Sequence, residues 1–158
     1  MSAAAQRALD DAAAHGLTVE VVPRPPARSL AEAADGLGIQ AAQLVKTMVV
    51  RRGDDDFLFV LLPGDRQISW PKLRSLLGVN RLSMPAAEVA LAVTGYARGT
   101  ITPLGSSSAW PVFADERISG RIALGSGTPD HAVFVQSAEL WPAYGATVAD
   151  LSDETAST

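Results

Sequence analysis

The chain has 158 residues, of which 47% are hydrophobic and 19% charged, and its net charge is −4. This length and composition predict one folded domain with a sizeable core. The absence of cysteine excludes disulfides, a cysteine nucleophile and cysteine-ligated metal sites, and two histidines are too few for a histidine-rich metal site.

Charge and hydropathy patterns further limit the class of protein. The longest apolar run, Phe57 to Leu62, is too short to span a bilayer. The N-terminus lacks a basic region followed by an apolar segment, so no secretion signal is predicted. We therefore expect a soluble cytoplasmic protein with no membrane partner. The acidic net charge argues against coating of nucleic acid by bulk electrostatics, although it does not exclude a local basic face.

The first half of the sequence predicts two helices, a strand and a β-hairpin. Alanine-rich composition before a glycine is typical of a helix, alternating β-branched residues indicate a strand, and serine three residues before glutamate indicates a helix start. Two apolar runs around a polar turn predict the hairpin. In chain order these elements are a helix at 3–15, a strand at 17–22, a helix from 29 to 36 or 38, and hairpin strands at 45–52 and 57–62.

The second half predicts three more helices and several short strands. They are helices at 69–78, 85–93 and 137–144, and strands at 111–114, 118–124, 132–136 and 147–149. Interleaved helices and strands indicate an α/β fold, and the hairpin and the short late strands favour a mixed, curved, largely antiparallel sheet. We expect one domain over residues 1–151 and a polar, frayed C-terminal tail over 152–158.

The most informative segment is residues 94–105, where three glycines and a proline follow a predicted helix. Glycine lets the backbone approach a ligand closely. The segment matches neither a dinucleotide fingerprint nor a phosphate-binding P-loop. It is therefore either a plain structural turn or a nest of N–H groups, near Gly99 and Thr100, that faces a substrate carbonyl.

Lys46 is the second candidate, because it stands at the start of an apolar strand. A lysine there is either a solvated edge charge, which is the commoner case, or a positive group that faces a cleft. Residues 106–108 are serines, but they do not form the Gly-x-Ser-x-Gly pattern of a nucleophile elbow. With no cysteine either, the sequence offers no evident side-chain nucleophile.

Four short motifs support a family assignment when they are taken together. They are Leu44-Val45-Lys46-Thr47, Pro63-Gly64-Asp65-Arg66 with Lys72-Leu73 after it, Thr94-Gly95-Tyr96 leading to Gly99, and Thr102-Pro103-Leu104-Gly105. In this order and spacing the chain resembles the YbaK-type aminoacyl-tRNA deacylases, relatives of the editing domain of bacterial prolyl-tRNA synthetase, over residues 17–151.

The resemblance implies an irregular, barrel-like mixed sheet surrounded by helices. It also implies hydrolysis of the ester between a wrong amino acid and the 3′ adenosine of a tRNA, most often proline tRNA. The family lysine corresponds to Lys46 and the functional glycine to Gly99. The family requires no side-chain nucleophile, and we expect no metal and no cofactor. Prolyl-tRNA synthetase is a candidate partner.

On this hypothesis the catalytic residues are Lys46, Gly99 and Thr100. The loop N–H groups support the developing oxyanion, Lys46 fixes the terminal phosphate or the carbonyl, and a ribose hydroxyl relays the proton. His131 is predicted either to bind the substrate or to be a loop histidine that hydrogen-bonds to the backbone. The predicted substrate-binding residues are Val21, Met48, Thr102, Pro103, Gly105, Asp130 and His131.

Two departures from the family pattern leave the amino-acid specificity open. Thr100 stands where many relatives carry a second glycine, and residues 127–132 replace a Gly-Leu-Asp type segment. A competing hypothesis is a non-catalytic module of the same fold that binds a tRNA end or a synthetase. A third, an unrelated small-molecule hydrolase, is disfavoured because no nucleophile is evident.

Overall fold

A computed structural model describes residues 2–155, which form five α-helices and nine β-strands. The helices are α1 (Ala3–Ala14), α2 (Leu30–Gly36), α3 (Trp70–Leu77), α4 (Ala87–Thr94) and α5 (Ser137–Tyr144). The strands are β1 (Glu20–Pro23), β2 (Val45–Gly53), β3 (Asp56–Pro63), β4 (Arg66–Ile68), β5 (Val112–Asp115), β6 (Arg121–Gly125), β7 (His131–Gln136), β8 (Thr147–Ala149) and β9 (Ser152–Glu154). Between residues 2 and 155, every helix is too short or too polar to cross a bilayer.

The strands divide into three sheets, with the orders β1-β7-β6, β2-β3-β5-β8 and β4-β9. The pairs β3–β5 and β5–β8 are parallel and the other four are antiparallel, so the predicted mixed, largely antiparallel α/β fold is confirmed. The described residues form three sheets and no closed barrel. Leu44, the residue before β2, forms one isolated bridge with Ala123 of β6, so the sheets that contain β2 and β6 are not paired along their length.

The hairpin β2–β3 forms the centre of the fold. Each residue of β3 from Phe57 to Pro63 is buried, and successive side chains point to opposite faces of the sheet. Phe57, Phe59 and Leu61 belong to the largest core cluster, while Leu58, Val60 and Leu62 belong to a second cluster with Leu73 of α3. Both faces of this sheet are therefore covered, and only its edges are available for a site.

Local signals set the helix boundaries much as the sequence predicts. The Ser29 hydroxyl accepts a hydrogen bond from the Glu32 N–H at 3.1 Å at the start of α2. The Ser69 hydroxyl accepts from the Lys72 N–H at the start of α3, which ends at Gly78 in the left-handed conformation. These caps satisfy N–H and C=O groups that a helix end would otherwise leave unpaired.

The expected frayed tail is wrong for its first residues, because Ser152–Glu154 form β9 and pair with β4. Residues 156–158 of that tail lie outside the described part of the chain. At the N-terminal side, β1 begins at Glu20, three residues later than the strand predicted from residue 17. Neither β4 nor β9 has an apolar alternation that would reveal it in the sequence.

A buried carboxylate explains why the polar segment 152–154 is ordered. Asp115 is fully buried, and it accepts hydrogen bonds from the Leu151 N–H at 2.9 Å and the Ser152 hydroxyl at 2.8 Å. The Arg66 guanidinium of β4 in turn donates to the Ser152 hydroxyl at 2.6 Å. Asp115 therefore holds the returning chain against β4.

The charge state of Asp115 makes this contact depend on pH. Burial alone raises the pKa of Asp115, but hydrogen bonds from Leu151, Arg117 and Ser152 outweigh it and hold the pKa below the ordinary value of 3.8. A carboxyl group whose pKa is depressed in the folded state stabilises the fold above its unfolded pKa. That stabilisation is lost as the pH falls through the folded pKa.

We expect Asp115→Asn to lower the free energy of unfolding at neutral pH by about 2 kcal/mol, because charge-assisted hydrogen bonds are lost in a buried site. The difference from wild type should narrow as the pH falls below about 4, the ordinary pKa of an aspartate in the unfolded chain, towards the depressed pKa of the folded state. Urea unfolding over a series of pH values measures both effects. Asp35→Asn, at an exposed position of α2, is the control and should change little. A difference for Asp115→Asn that is constant from neutral to acid pH would contradict this role.

Candidate functional site

The site lies at the open edge of β2. Arg51, near the end of this strand, exchanges backbone hydrogen bonds with Ser83 at 2.8 and 3.1 Å. Because backbone groups alternate in direction along an antiparallel strand, the N–H and C=O of Val49 and Thr47 also point away from β3. A cavity of about 720 Å³ occupies this edge. Its walls include Lys46, Thr47 and Met48 from β2, and Gly99 and Ile101 from the segment 94–105, which we call the glycine loop.

Lys46 is half-buried at the cavity wall, opposite Leu62 in the hairpin register. Its Nζ lies 3.5 Å from the Gly64 carbonyl oxygen, to which it donates. Burial lowers the pKa of Lys46 below the ordinary lysine value, and the nearby Asp65 carboxylate opposes this shift. The side chain is therefore a positive group held at a cavity wall, the second of the two interpretations that the sequence leaves open.

Gly64 is required by close packing around Lys46. A Cβ at Gly64 would lie 2.5 Å from the Leu44 carbonyl oxygen and 2.7 Å from that of Ala41. Real Cβ atoms do not approach other atoms so closely, so any side chain here would push the turn 41–44 away from the hairpin. Gly64 also lines the cavity, and it thus fixes both the carbonyl that Lys46 meets and the shape of the wall.

Gly99 lines the same cavity as Lys46. Its φ is +87°, a conformation that favours glycine, and it lies in an exposed part of the loop. Within residues 2–155 its N–H makes no hydrogen bond to another group. Gly99 therefore presents a bare backbone amide at the cavity.

Thr100 differs from the expectation. Its N–H donates to the Ala97 carbonyl at 3.0 Å and its hydroxyl donates to the same oxygen at 2.7 Å. Both donors are engaged inside the loop, and the residue is buried. The expected pair of free amides is thus reduced in this structure to Gly99, and Thr100 shapes the turn that presents it.

Helix α1 holds the two ends of the glycine loop. The Arg7 guanidinium donates to the Gly105 carbonyl at 2.8 Å and to the Gly95 carbonyl at 3.1 Å. Asp11, one helical turn later, accepts from the Gly105 N–H at 2.8 Å and from the Tyr144 hydroxyl at 2.5 Å. Two side chains of one helix therefore fix the span between Gly95 and Gly105.

Glycines at the loop base allow this close contact. A Cβ at Gly105 would lie 2.6 Å from the Arg7 carbonyl oxygen and 2.7 Å from the Tyr96 hydroxyl. A Cβ at Gly125, at the end of β6, would lie 2.7 Å from the Ile101 carbonyl oxygen. The loop is thus packed against α1 on one side and against β6 on the other.

Three of the predicted substrate-binding residues lie on the buried side of the loop and not at the cavity. Thr102, Pro103 and Gly105 are buried. The Thr102 hydroxyl accepts from the Leu104 N–H at 3.2 Å, and Gly105 contacts α1 as described. These residues support the loop from within, and none of them lines the cavity.

The other predicted binding residues divide between the cavity and more distant positions. Met48 lines the cavity, whereas Val21 pairs with Val133 and packs on the largest core cluster. Asp130 is exposed and accepts from the Thr128 hydroxyl. His131 is paired with Pro23 across β1 and β7, and its Nδ1 is buried without a hydrogen-bond partner among the described residues. Neither Asp130 nor His131 lines the cavity.

Several lining residues belong to none of the four motifs, because they come from distant parts of the chain. Arg24 follows β1, Leu30 begins α2, Met84 to Ala87 lead into α4, and Gly125 ends β6. Gly125 carries one local signal, because a glycine at the end of an apolar strand often marks a site where another backbone segment approaches closely. The others carry no local signal, because only tertiary packing brings them to the cavity.

Comparison with known proteins agrees with this geometry. Residues 24–141 match the family model of the aminoacyl-tRNA editing domain. The proline–tRNA ligase of Caldicellulosiruptor saccharolyticus is 34% identical over 111 residues, which are 69% of this chain and 19% of the ligase. That of Heliobacterium modesticaldum is 34% identical over 122 residues, which are 75% of this chain and 21% of the ligase. The chain thus spans about one fifth of the length of these relatives.

A solved structure shows the same fold over nearly the whole chain. It is a candidate trans-editing enzyme for prolyl tRNA synthetase, with a TM-score of 0.88 and 28% identity, and the match covers 97% of this chain and 99% of that one. The matched family model runs from Arg24, just after β1, into α5, and it includes the Lys46 strand and the Gly99 loop. The chain therefore belongs to the aminoacyl-tRNA editing domain family.

Proposed function

We propose that this domain is a trans-acting hydrolase that removes a wrong small amino acid from mischarged tRNA, with proline tRNA as its carrier. The observation that carries the proposal is the shared cavity: the Lys46 ammonium group and the free Gly99 amide line the same hollow. Similarity to proline–tRNA ligases and to the candidate trans-editing enzyme supports proline tRNA as the carrier.

The lining residues suit a reaction that needs no protein nucleophile. Among the described residues that line the cavity there is no serine, histidine, aspartate or glutamate, and Thr47 supplies the one hydroxyl. An aminoacyl ester is already reactive, so positioning and electrostatic support of the oxyanion can account for catalysis. The site offers both, from a cation and a backbone amide.

The proposed reaction is attack of water on the ester carbonyl. A bond forms between the water oxygen and the carbonyl carbon, and the Gly99 N–H and the Lys46 ammonium group stabilise the negative oxygen that develops. The ester bond to the ribose then breaks. The proton released by water passes to the departing ribose oxygen, with the neighbouring ribose hydroxyl as relay. The products are the free amino acid and the uncharged tRNA.

The cavity offers apolar walls to the side chain of the amino acid. Its lining includes Val45, Val49, Ala90 and Ile101, together with Gly125, at which an added Cβ would collide with the Ile101 carbonyl oxygen. Selection against a larger amino acid then works by shape, and one methylene group of difference is worth about 1–3 kcal/mol. Alanine, cysteine and serine are the amino acids to test.

The proposal is tested by incubating the protein with proline tRNA charged with alanine, cysteine or serine. Release of free amino acid above the rate without protein supports the hydrolase. An unchanged lifetime of the ester together with retained tRNA binding would support the alternative, a non-catalytic binding module.

We expect Lys46→Ala and Lys46→Met to lower the rate of deacylation by about 100-fold, because a charge that supports the oxyanion is worth about 3 kcal/mol. Lys46→Met keeps most of the side-chain volume, so it separates loss of charge from loss of packing. Both variants should melt close to wild type, since Lys46 makes one long hydrogen bond. Wild-type turnover by either folded variant would remove Lys46 from the mechanism.

We expect Arg7→Ala to lower kcat by about tenfold with little change in KM, because the ends of the Gly99 loop lose two hydrogen bonds. Gln6→Ala is the matched control, since Gln6 neighbours Arg7 on the same helix but hydrogen-bonds through its side chain to Asp10. Steady-state kinetics on mischarged tRNA measures both parameters. Equal kcat values for the two variants would show that α1 does not position the loop.

A further inference from the structure

A second hollow adjoins the cavity and is not explained by hydrolysis. Its volume is about 470 Å³, and it shares Arg24, Leu30, Leu44 and Gly99 with the cavity. Its remaining walls come from the segment between β1 and α2, which includes Pro25, Pro26 and Arg28, from Ala33 of α2, and from Pro129 of the β6–β7 connection. A ligand bound at Gly99 can therefore extend directly into it.

The two hollows together are strongly basic. Among the described residues that line either one, four are basic and none is acidic, although the whole chain has 17 acidic and 13 lysine or arginine residues. The four are Arg24, Arg28, Lys46 and Arg98. This local excess of positive charge on an acidic chain favours an anionic ligand.

The arginine side chains at these walls are not neutralised. Within residues 2–155, the guanidinium groups of Arg24, Arg28 and Arg98 take part in no hydrogen bond or salt bridge. By contrast Arg52 pairs with Asp56 at 3.0 Å and Arg121 with Glu20 at 2.7 Å. Glu32 is near Arg28, but it accepts a hydrogen bond from the Arg28 backbone N–H at 3.4 Å and does not pair with the side chain. These arginine donors are available to a ligand.

The backbone that carries Arg24 and Arg28 is held in place. The Arg24 N–H donates to the Asp130 carbonyl at 2.8 Å, which joins this segment to the end of the β6–β7 connection. Pro25 and Pro26 follow, and proline fixes φ. Pro25 also packs against α2, since its Cγ lies 3.4 Å from the position that a Cβ at Gly36 would occupy. Arg24 and Arg28 therefore lie on a segment after β1 whose backbone is restrained.

We propose that the second hollow binds the RNA phosphodiester that precedes the acylated adenosine, with Arg24 and Arg28 as the phosphate-binding residues. This inference rests on the proposed function, because it needs the adenosine in the first cavity. The planar arginine fork matches the geometry of phosphate oxygens. Arg24 and Gly99 line both hollows, so the arginine groups that would bind the phosphate lie beside the loop that would contact the ester. The RNA strand would enter the first cavity across these shared residues.

The test measures binding of uncharged RNA, so that it does not depend on hydrolysis. A short, fluorescently labelled single strand that ends in an unpaired 3′ adenosine is titrated with wild type and with an Arg24→Ala/Arg28→Ala double variant. We expect the double variant to bind roughly tenfold more weakly. We also expect its dependence of log K on log salt concentration to be shallower by about 0.7 for each lost phosphate contact.

The matched control is Arg74→Ala/Arg81→Ala, which removes the same charge at positions that line neither hollow. It should bind the strand as wild type does, and thermal melting checks that both double variants are folded. Equal losses in the two double variants would attribute binding to net charge and overturn the assignment. Wild-type affinity in the Arg24→Ala/Arg28→Ala variant would overturn it as well.

A competition experiment distinguishes an RNA strand from a free nucleotide as the source of the phosphate. Adenosine monophosphate should displace the labelled strand only at much higher concentration than the unlabelled strand does. Equal potency would assign a mononucleotide site and contradict the RNA assignment. Failure of the proposed hydrolysis is a separate result: a wild type that binds RNA through Arg24 and Arg28 but releases no amino acid contradicts the enzyme and leaves this site standing.

Discussion

A loop that acts through its backbone needs its shape fixed from outside, and here the hydrogen bonds from α1 do this. Arg7 binds the carbonyls at both loop ends, Gly95 and Gly105, and Asp11 binds the Gly105 amide. Burial and the hydrogen bond to Asp11 raise the pKa of Tyr144, which keeps this hydroxyl protonated as a donor to Asp11. The position of the Gly99 amide depends on this arrangement, although α1 lies outside the matched editing-domain segment.

The part of the cavity lined by Lys46 depends on a balance between burial and charge. Placing Lys46 at a half-buried position lowers the pKa of its ammonium group, and Asp65 limits that effect. Gly64 allows the turn 41–44 to pack closely over the hairpin beside Lys46. The cation is thus partly desolvated and still has an acidic neighbour that favours its charged form.

Much of the fold follows from local sequence signals. The hairpin is predicted by two apolar runs around a polar turn, and the capping serines and terminal glycines mark α2 and α3. Strand β9 could not be predicted in this way, because Ser152–Glu154 is polar and owes its order to the distant Asp115. The division into three sheets likewise depends on how the strands pack, which the pattern along one strand does not record.

The site was predictable only in part, again because the spacing of residues along the chain does not record how they pack. The motifs around Lys46 and Gly99 led to two residues that do share a cavity. The same motifs also contain Thr102, Pro103 and Gly105, which face the protein interior, and one-dimensional spacing does not separate the supporting from the exposed side of a loop. Arg24 and Arg28 belong to no recognised motif, and only the folded structure shows that they line one hollow beside Gly99.

The most direct measurement is a crystal structure with a non-hydrolysable analogue of alanyl-adenosine, in which an amide replaces the ester. The account predicts that the analogue occupies the cavity at the edge of β2. Its carbonyl oxygen should accept a hydrogen bond from the Gly99 N–H and face the Lys46 ammonium group. An analogue whose carbonyl meets neither group, or which binds outside this cavity, would contradict the account.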